Sequence, residues 1–303
     1  MEVRQYINYF NVFMNENQKG IIQPPDFPAI LTNEDGVKWI KSIHPDRING
    51  VALVIHGLNL RPDKMNSIIA LLTHSCIDVL NLSLRGHGGN YAKTANVDET
   101  KARMETFKTV SYKLWITETY RAYGLAENRS REKQVPLFLI GFSLGGLIGA
   151  TLFAAYPDVY FDRMVLLAPA IYIHKIYYLA KLLSPFPRLV IPSFFMKSYC
   201  SNKGTPVVAY NAVFEGVEHF KKNKASKLNV PTLIFTDKRD ELVSHRRLKR
   251  VIKNRALHQW KLHPVKKNKG VKEKMHHLII DESSIGKDAW NEMRGLINHH
   301  LLA

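Results

Sequence analysis

The stretch from Leu137 to Tyr156, LFLIGFSLGGLIGATLFAAY, constrains the fold more than any other part of the chain. Leu137 to Ile140 is apolar without the polar alternation of a half-solvated strand. Gly141-Phe142-Ser143-Leu144-Gly145-Gly146 follows at once, and the run from Leu144 to Ala155 has helical character and is apolar almost all round. A strand that is apolar on both faces and turns directly into an apolar helix belongs inside a parallel sheet covered on both sides. The small residues Gly141 and Gly145 let neighbouring backbone pass close to the turn. This is the strand–turn–helix context in which a G-x-S-x-G pentapeptide projects its serine from a strained turn. The helix N-terminus adds positive potential there. Ser143 is therefore the candidate nucleophile.

The rest of the chain keeps the same rhythm. Strand-like runs are predicted at Gly36–Ile43, Val51–Ile55, Ile77–Leu84, Met164–Ala168, Thr232–Thr236 and His258–Val265. Helical spacing is predicted at Pro62–Ser75, Glu99–Tyr123, Ser244–Lys253 and Ser284–Leu301, with a charged loop at residues 129–133. The expected fold class is α/β: a doubly wound, mostly parallel sheet in one domain over residues 1–303. Residues 1–35, with Pro24-Pro25-Asp26-Phe27-Pro28, read as a leader that packs on the domain. Residues 170–228 are too long for a simple crossover. Their aromatic helical run Ile171–Leu183, the break at Ser184-Pro185-Phe186-Pro187 and the apolar run Val190–Met196 predict a helical cap insertion suited to an apolar substrate.

Composition closes off other classes. Of 303 residues, 46% are hydrophobic and 23% charged, which excludes a disordered chain. The longest apolar stretch, Met164 to Ile173, is far short of the ~20 residues of a membrane span. The start, MEVRQYINYF, has no apolar signal core. Cys76 and Cys200 are far apart in sequence and fit a reducing compartment, so a cytoplasmic location is expected. The net charge is +17, and residues 245–274 hold twelve Lys/Arg against one acid, Glu273. This segment reads as a solvated basic face, or as a peripheral contact with an anionic membrane. No RRM, KH or zinc-finger signature accompanies it, so no nucleic acid is expected. The sequence does not fix an oligomeric state.

A serine nucleophile needs a base, and the base an orienting carboxylate. In this topology the chain order is Ser, then acid, then His. The acid should follow the late strand Thr232–Thr236. Asp240 fits, with Asp237 and Glu241 as rivals. The base should follow the last strand, at His276 or His277; adjacent positions on an extended segment point to opposite sides, so only one can reach Ser143. His258 and His263 fall within the strand, and His299 comes too late. His56-Gly57-Leu58-Asn59, directly after Val51–Ile55, places the Leu58 amide to pair with that of Leu144 as an oxyanion hole. His56 itself reads as a residue that shapes the loop. Arg85-Gly86-His87-Gly88-Gly89 lacks the spacing of a phosphate loop, so nucleotide binding is rejected. No metal or organic cofactor is called for.

The HG-x-N loop, the LRGHGG turn, GFSLGG, PTLIFTDKRDELV and a late His before IID occur together and in order. Together they resemble the α/β-hydrolase superfamily, most closely its lysophospholipase and monoglyceride lipase-like serine esterases, over about residues 36–300. The resemblance implies Ser143 as nucleophile, Asp240 as acid, His276 or His277 as base, and the Leu58 and Leu144 amides as the oxyanion hole. It implies a cofactor-free carboxylic ester hydrolase acting through an acyl-enzyme on a small-molecule ester or lipid. Ser83 stands where the family often has Asp, and Phe142 where lipase-like members often have His; both bear on the substrate. An acyl thioesterase, a peptidase or other acyl transferase, and a non-catalytic binding protein of the same fold are the alternatives.

Overall fold

The structure is a computed structural model. It describes residues 36–303 except positions 45, 94, 194, 195, 224 and 225, so the expected leader at residues 1–35 lies outside the described residues. Seven strands form the central sheet: β1 (Val37–Ile40), β2 (Gly50–Ile55), β3 (Ile77–Leu82), β4 (Leu137–Phe142), β5 (Arg163–Leu167), β8 (Thr232–Asp237) and β9 (Trp260–Val265). Their order is β1-β3-β2-β4-β5-β8-β9. Every neighbouring pair is parallel except β1, whose Val37 lies opposite Leu82 in an antiparallel edge pairing.

Strands β2, β3, β4 and β8 are buried along their whole length, as the apolar runs at their centres favour. The two-residue period divides their side chains between two cores. Val51, Leu53 and Ile55 face a layer made by α3 (Tyr112–Lys133), α4 (Leu144–Ala155) and α5 (Val207–Lys222). Ala52 and Val54 face the layer of α1 (Asn66–His74) and α8 (Lys287–Leu302). Helices on both faces make the sheet doubly wound, as expected. In open α/β sheets of this kind ligands bind at the loops beyond the carboxyl ends of the strands.

The helices depart from the predicted boundaries at several places, among them three outside residues 170–228. The single helix expected over 99–123 is two: α2 (Glu99–Phe107) and α3. The Asp98 carboxylate accepts the Lys101 amide to start α2, and the Ser111 hydroxyl accepts the Leu114 amide to start α3. The charged loop expected at 129–133 is instead the last turn and more of α3. Arg129 pairs with Asp78 and Glu132, and Arg131 with Glu127 one turn back. Near the C-terminus Gly286, at φ 91°, separates the short α7 (Glu282–Ile285) from α8.

Residues 170–228 divide into two kinds of structure. Lys175–Leu183 is a 3-10 run that buries none of its residues. β6 (Val190–Pro192) and β7 (Gly204–Pro206) form an antiparallel hairpin. The α5 helix, by contrast, buries Ala209, Val213, Val217 and Phe220 in the sheet-covering core. No described helix is long and apolar enough to cross a membrane.

Candidate active site

Ser143 is the residue between β4 and α4, and its backbone sits at φ 50°, ψ −109°, a region that non-glycine residues rarely adopt. Three hydrogen bonds hold it there. Its amide donates to the Leu167 carbonyl at 2.8 Å, and its carbonyl accepts from Leu147 at 3.1 Å and Ala170 at 3.0 Å. The flanking glycines are needed for closeness. A Cβ at Gly141 would lie 2.6 Å from the Gly146 backbone, and one at Gly145 would fall on the Ile55 carbonyl. The elbow is thus wedged against the end of β2, with the serine side chain facing the cleft.

The late strands bring the other candidates to it. His277 Nε2 lies 2.7 Å from Ser143 Oγ. Its Nδ1 lies 2.9 and 3.1 Å from the two Asp240 oxygens. A carboxylate only accepts, so Nδ1 carries the proton and Nε2 is free to accept from the serine hydroxyl. Asp240 is oriented in turn: one of its oxygens accepts the backbone amides of Leu242 and Val243, both at 2.8 Å. Ser143, His277 and Asp240 are all buried, and the His277 side chain is only 1% exposed. This dry setting strengthens every interaction along the chain of three.

The rival residues have other partners. His276 turns away and places Nδ1 2.9 Å from Asp237. Glu241 accepts the backbone amides of His276 and His277, one on each oxygen, at 3.1 and 3.2 Å. Asp240, the expected acid, and its rivals Asp237 and Glu241 therefore differ by contact. Glu241 anchors the histidine-bearing segment rather than a ring. Lys267 supports the same segment, donating to the carbonyls of Glu273 and Met275. His263 pairs with Glu292 at the strand, away from Ser143.

Leu58 and Leu144 line the same cavity as Ser143, and no hydrogen bond from either amide is recorded among the described residues. The Leu58 loop is held by a network in which His56, expected to shape the loop, is joined by His87, Asn59 and Asn202, which spacing does not single out. His87 Nε2 accepts the amide of Asn59 at 2.8 Å. His56 donates from Nδ1 to the Gly57 carbonyl at 2.7 Å and accepts the Leu84 amide on Nε2 at 3.0 Å. Burial lowers the pKa of His56 to about 4 and that of His87 well below its ordinary value, so both act as neutral bridges. Asn59, at φ 53°, exchanges two hydrogen bonds with the Asn202 backbone, at 2.9 and 3.1 Å. Asn202 reaches on to the Gly86 carbonyl at 2.9 Å. The glycine-rich turn rejected as a phosphate loop thus serves as a buttress. Its signal in sequence was His87 itself, a histidine between glycines at a strand end.

Ser143 opens into a cavity of about 300 Å³. Ile173, Tyr177, Ala180, Ile191, Tyr210 and Phe214, all from residues 170–228, form much of its wall. Ser193 and Thr205 add hydroxyls, and among the described residues no carboxylate, Lys or Arg lines it. No cluster of three or more potential metal ligands occurs among the described residues.

A family model described as serine aminopeptidase, S33, matches residues 46–203, over half of the chain. No curated protein sequence matches the chain. Many solved structures share its fold. A soluble variant of monoglyceride lipase from Saccharomyces cerevisiae superposes with a TM-score of 0.68 at 15% identity, covering 88% of this chain and 90% of that one. A metagenome-derived lipolytic enzyme from a study of LipS and LipT gives 0.66 at 16% identity, with 88% and 97% covered. Monoacylglycerol lipase from Paleococcus ferrophilus gives 0.61 at 17% identity, again with 88% and 97% covered.

Proposed function

The chain belongs to the S33 serine aminopeptidase family of α/β-hydrolases, and from that footing we propose that it hydrolyses carboxylic esters of apolar or lipid-like acyl chains. Ser143 is the nucleophile, His277 the general base and then acid, and Asp240 the group that orients and stabilises the imidazolium. The hydroxyl oxygen attacks the acyl carbonyl as its proton passes to His277 Nε2. The amides of Leu58 and Leu144 stabilise the developing oxyanion. His277 then gives the proton to the leaving alcohol, and the acyl-enzyme remains. Water, deprotonated by the same nitrogen, releases the acid and restores the serine.

One observation carries the substrate class: the Ser143–His277 pair lines an apolar cavity walled in large part by residues 170–228. We assign that segment, without α5, as the cap. The cavity favours an ester over a peptide with a free amino terminus, because among the described residues no carboxylate lines it to neutralise an ammonium group. The cap also leaves Ile176, Leu182 and Phe186 exposed, at 64%, 75% and 64%. Together with the basic segment 245–274, this apolar surface suits peripheral contact with an anionic membrane. The location we propose is the cytoplasm, at or near such a surface.

The test is hydrolysis of p-nitrophenyl esters from acetate to palmitate, with Ser143→Ala as control. A Ser143-dependent rate that peaks at medium or long chains supports the reading. A peak at the shortest esters makes the cap wall irrelevant to the acyl group. A rate no higher than the variant's at any length refutes ester hydrolysis. A thioester panel and an organophosphonate probe then separate the thioesterase from a non-catalytic binder.

A further inference from the structure

A second cavity, of about 230 Å³, lies beside the first and shares Ile173 as a wall. Its other lining residues are Tyr172, Lys175, Tyr178, Lys221 and Arg247, so three cations and two phenols meet without a carboxylate among them. Lys221 pairs with Glu218 at 2.8 Å, and its ammonium also lies 3.3 Å from the Tyr178 hydroxyl. Lys175 and Arg247 form no ion pair among the described residues; the one recorded hydrogen bond of the Arg247 guanidinium is to the Ile173 carbonyl, at 3.4 Å. Arg247 also stands in the first turn of α6 (His245–Asn254), whose opening residues His245, Arg246 and Arg247 include no acid. Cations there oppose the positive end of the helix dipole, and their mutual repulsion falls if an anion sits among them.

We propose that this cavity is an anion site for a phosphate group, separate from the acyl cavity. The Arg247 fork supplies directional donors, Lys175 and Lys221 supply charge, and the tyrosine hydroxyls donate to the remaining oxygens. The site is mechanically close to the triad. Ile173 bridges to Val243, the Ser244 amide donates to the Tyr172 carbonyl, and the His174 amide donates to the Leu242 carbonyl. Leu242 and Val243 are the residues whose amides hold Asp240. A bound phosphate therefore stiffens the pairing that positions the catalytic carboxylate. The binding itself does not depend on the ester-hydrolase reading.

Isothermal titration with inorganic phosphate, at fixed ionic strength, tests the site on the full chain and on the Arg247→Gln and Lys175→Gln variants. Circular dichroism checks that both variants fold. The expected result is saturable binding that weakens roughly tenfold in each variant, with a melting temperature that rises with phosphate and not with equivalent chloride. Co-sedimentation with phosphatidylcholine vesicles, with and without phosphatidate, tells the two phosphate sources apart. Phosphatidate-dependent binding that inorganic phosphate displaces, and that both variants lose, identifies a lipid headgroup. Inorganic phosphate binding without vesicle binding identifies a free phosphate. No saturable heat, or equal affinity in the variants, overturns the proposal.

Discussion

His277 Nε2 stands 2.7 Å from the Ser143 hydroxyl, whereas the ring of its sequence neighbour His276 is paired with Asp237. The two histidines should therefore separate sharply in activity. His277→Ala is expected to lower kcat by roughly 10⁴-fold or more, the scale for loss of a triad base. His276→Ala should cost less than about tenfold, because that ring touches no reacting atom. Steady-state hydrolysis of a medium-chain p-nitrophenyl ester by the two purified variants measures the difference, and comparable losses would contradict the assignment.

The carboxylates should part in the same way. Asp240→Asn presents an amide to His277 Nδ1 and favours the wrong tautomer, with an expected loss on the order of 10⁴-fold in kcat. Asp237→Asn should leave kcat within about tenfold. Glu241→Ala frees the two histidine amides without touching a ring. It is expected to lower kcat moderately while KM stays near the wild-type value.

Ser143 carries backbone strain that a glycine would relieve. Both Ser143→Gly and Ser143→Ala should be inactive. The glycine variant should nevertheless be the more stable of the two by roughly 1–2 kcal/mol. Differential scanning calorimetry of the two inactive proteins provides the comparison; an equal or lower melting temperature for Ser143→Gly would show that the elbow is unstrained.

The pH dependence of stability has two opposing sources. His56 is neutral in the fold down to about pH 4 but protonates near 6.5 when unfolded, and His87 shifts the same way. The unfolded state therefore binds more protons below pH 6.5, and the stability these groups contribute is lost as the pH falls from 6.5 toward 4. Glu118, buried against the Arg85 amide and the Asn90 side chain, is raised from 4.5 to about 7 by desolvation. There the folded state holds the extra proton, so its contribution falls as the pH rises from 4.5 to about 7. Two histidines outweigh one carboxyl, so urea midpoints should drop between pH 6.5 and 4.5. Glu118→Gln should make that drop steeper. A shallower acid limb in this variant would reverse the sign assigned to Glu118.

Much of the fold was legible because strands buried on both faces leave unbroken apolar runs. Leu137–Ile140 and Thr232–Thr236 both lie in strands close to where they were expected. The elbow was legible for the same reason, since only small residues fit where Gly141 and Gly145 pass backbone. Helix limits were harder. Ser111 interrupts a run whose apolar spacing continues across it, and the 129–133 segment stays helical through ion pairs that a loop composition also offers. The site's finer parts depended on contacts between distant segments. Nothing in spacing sends one of two adjacent histidines to Asp240 and the other to Asp237, or joins Asn59 to Asn202 across 143 positions.

That last join limits how the enclosing segment can be exchanged. Residues 199–202 are laced to the Leu58 loop: the Arg61 amide donates to Tyr199, the Ser201 amide to Asn59, and the Ser201 hydroxyl to Leu60. The 3-10 run Lys175–Leu183 buries none of its residues and has no comparable anchorage among the described residues. A chimera builder could therefore swap the stretch near residues 175–183 for a foreign one and alter which esters enter. Replacing the hairpin's far end as well would dismantle the cradle that aims the Leu58 amide, and such a hybrid would lose turnover on every ester alike.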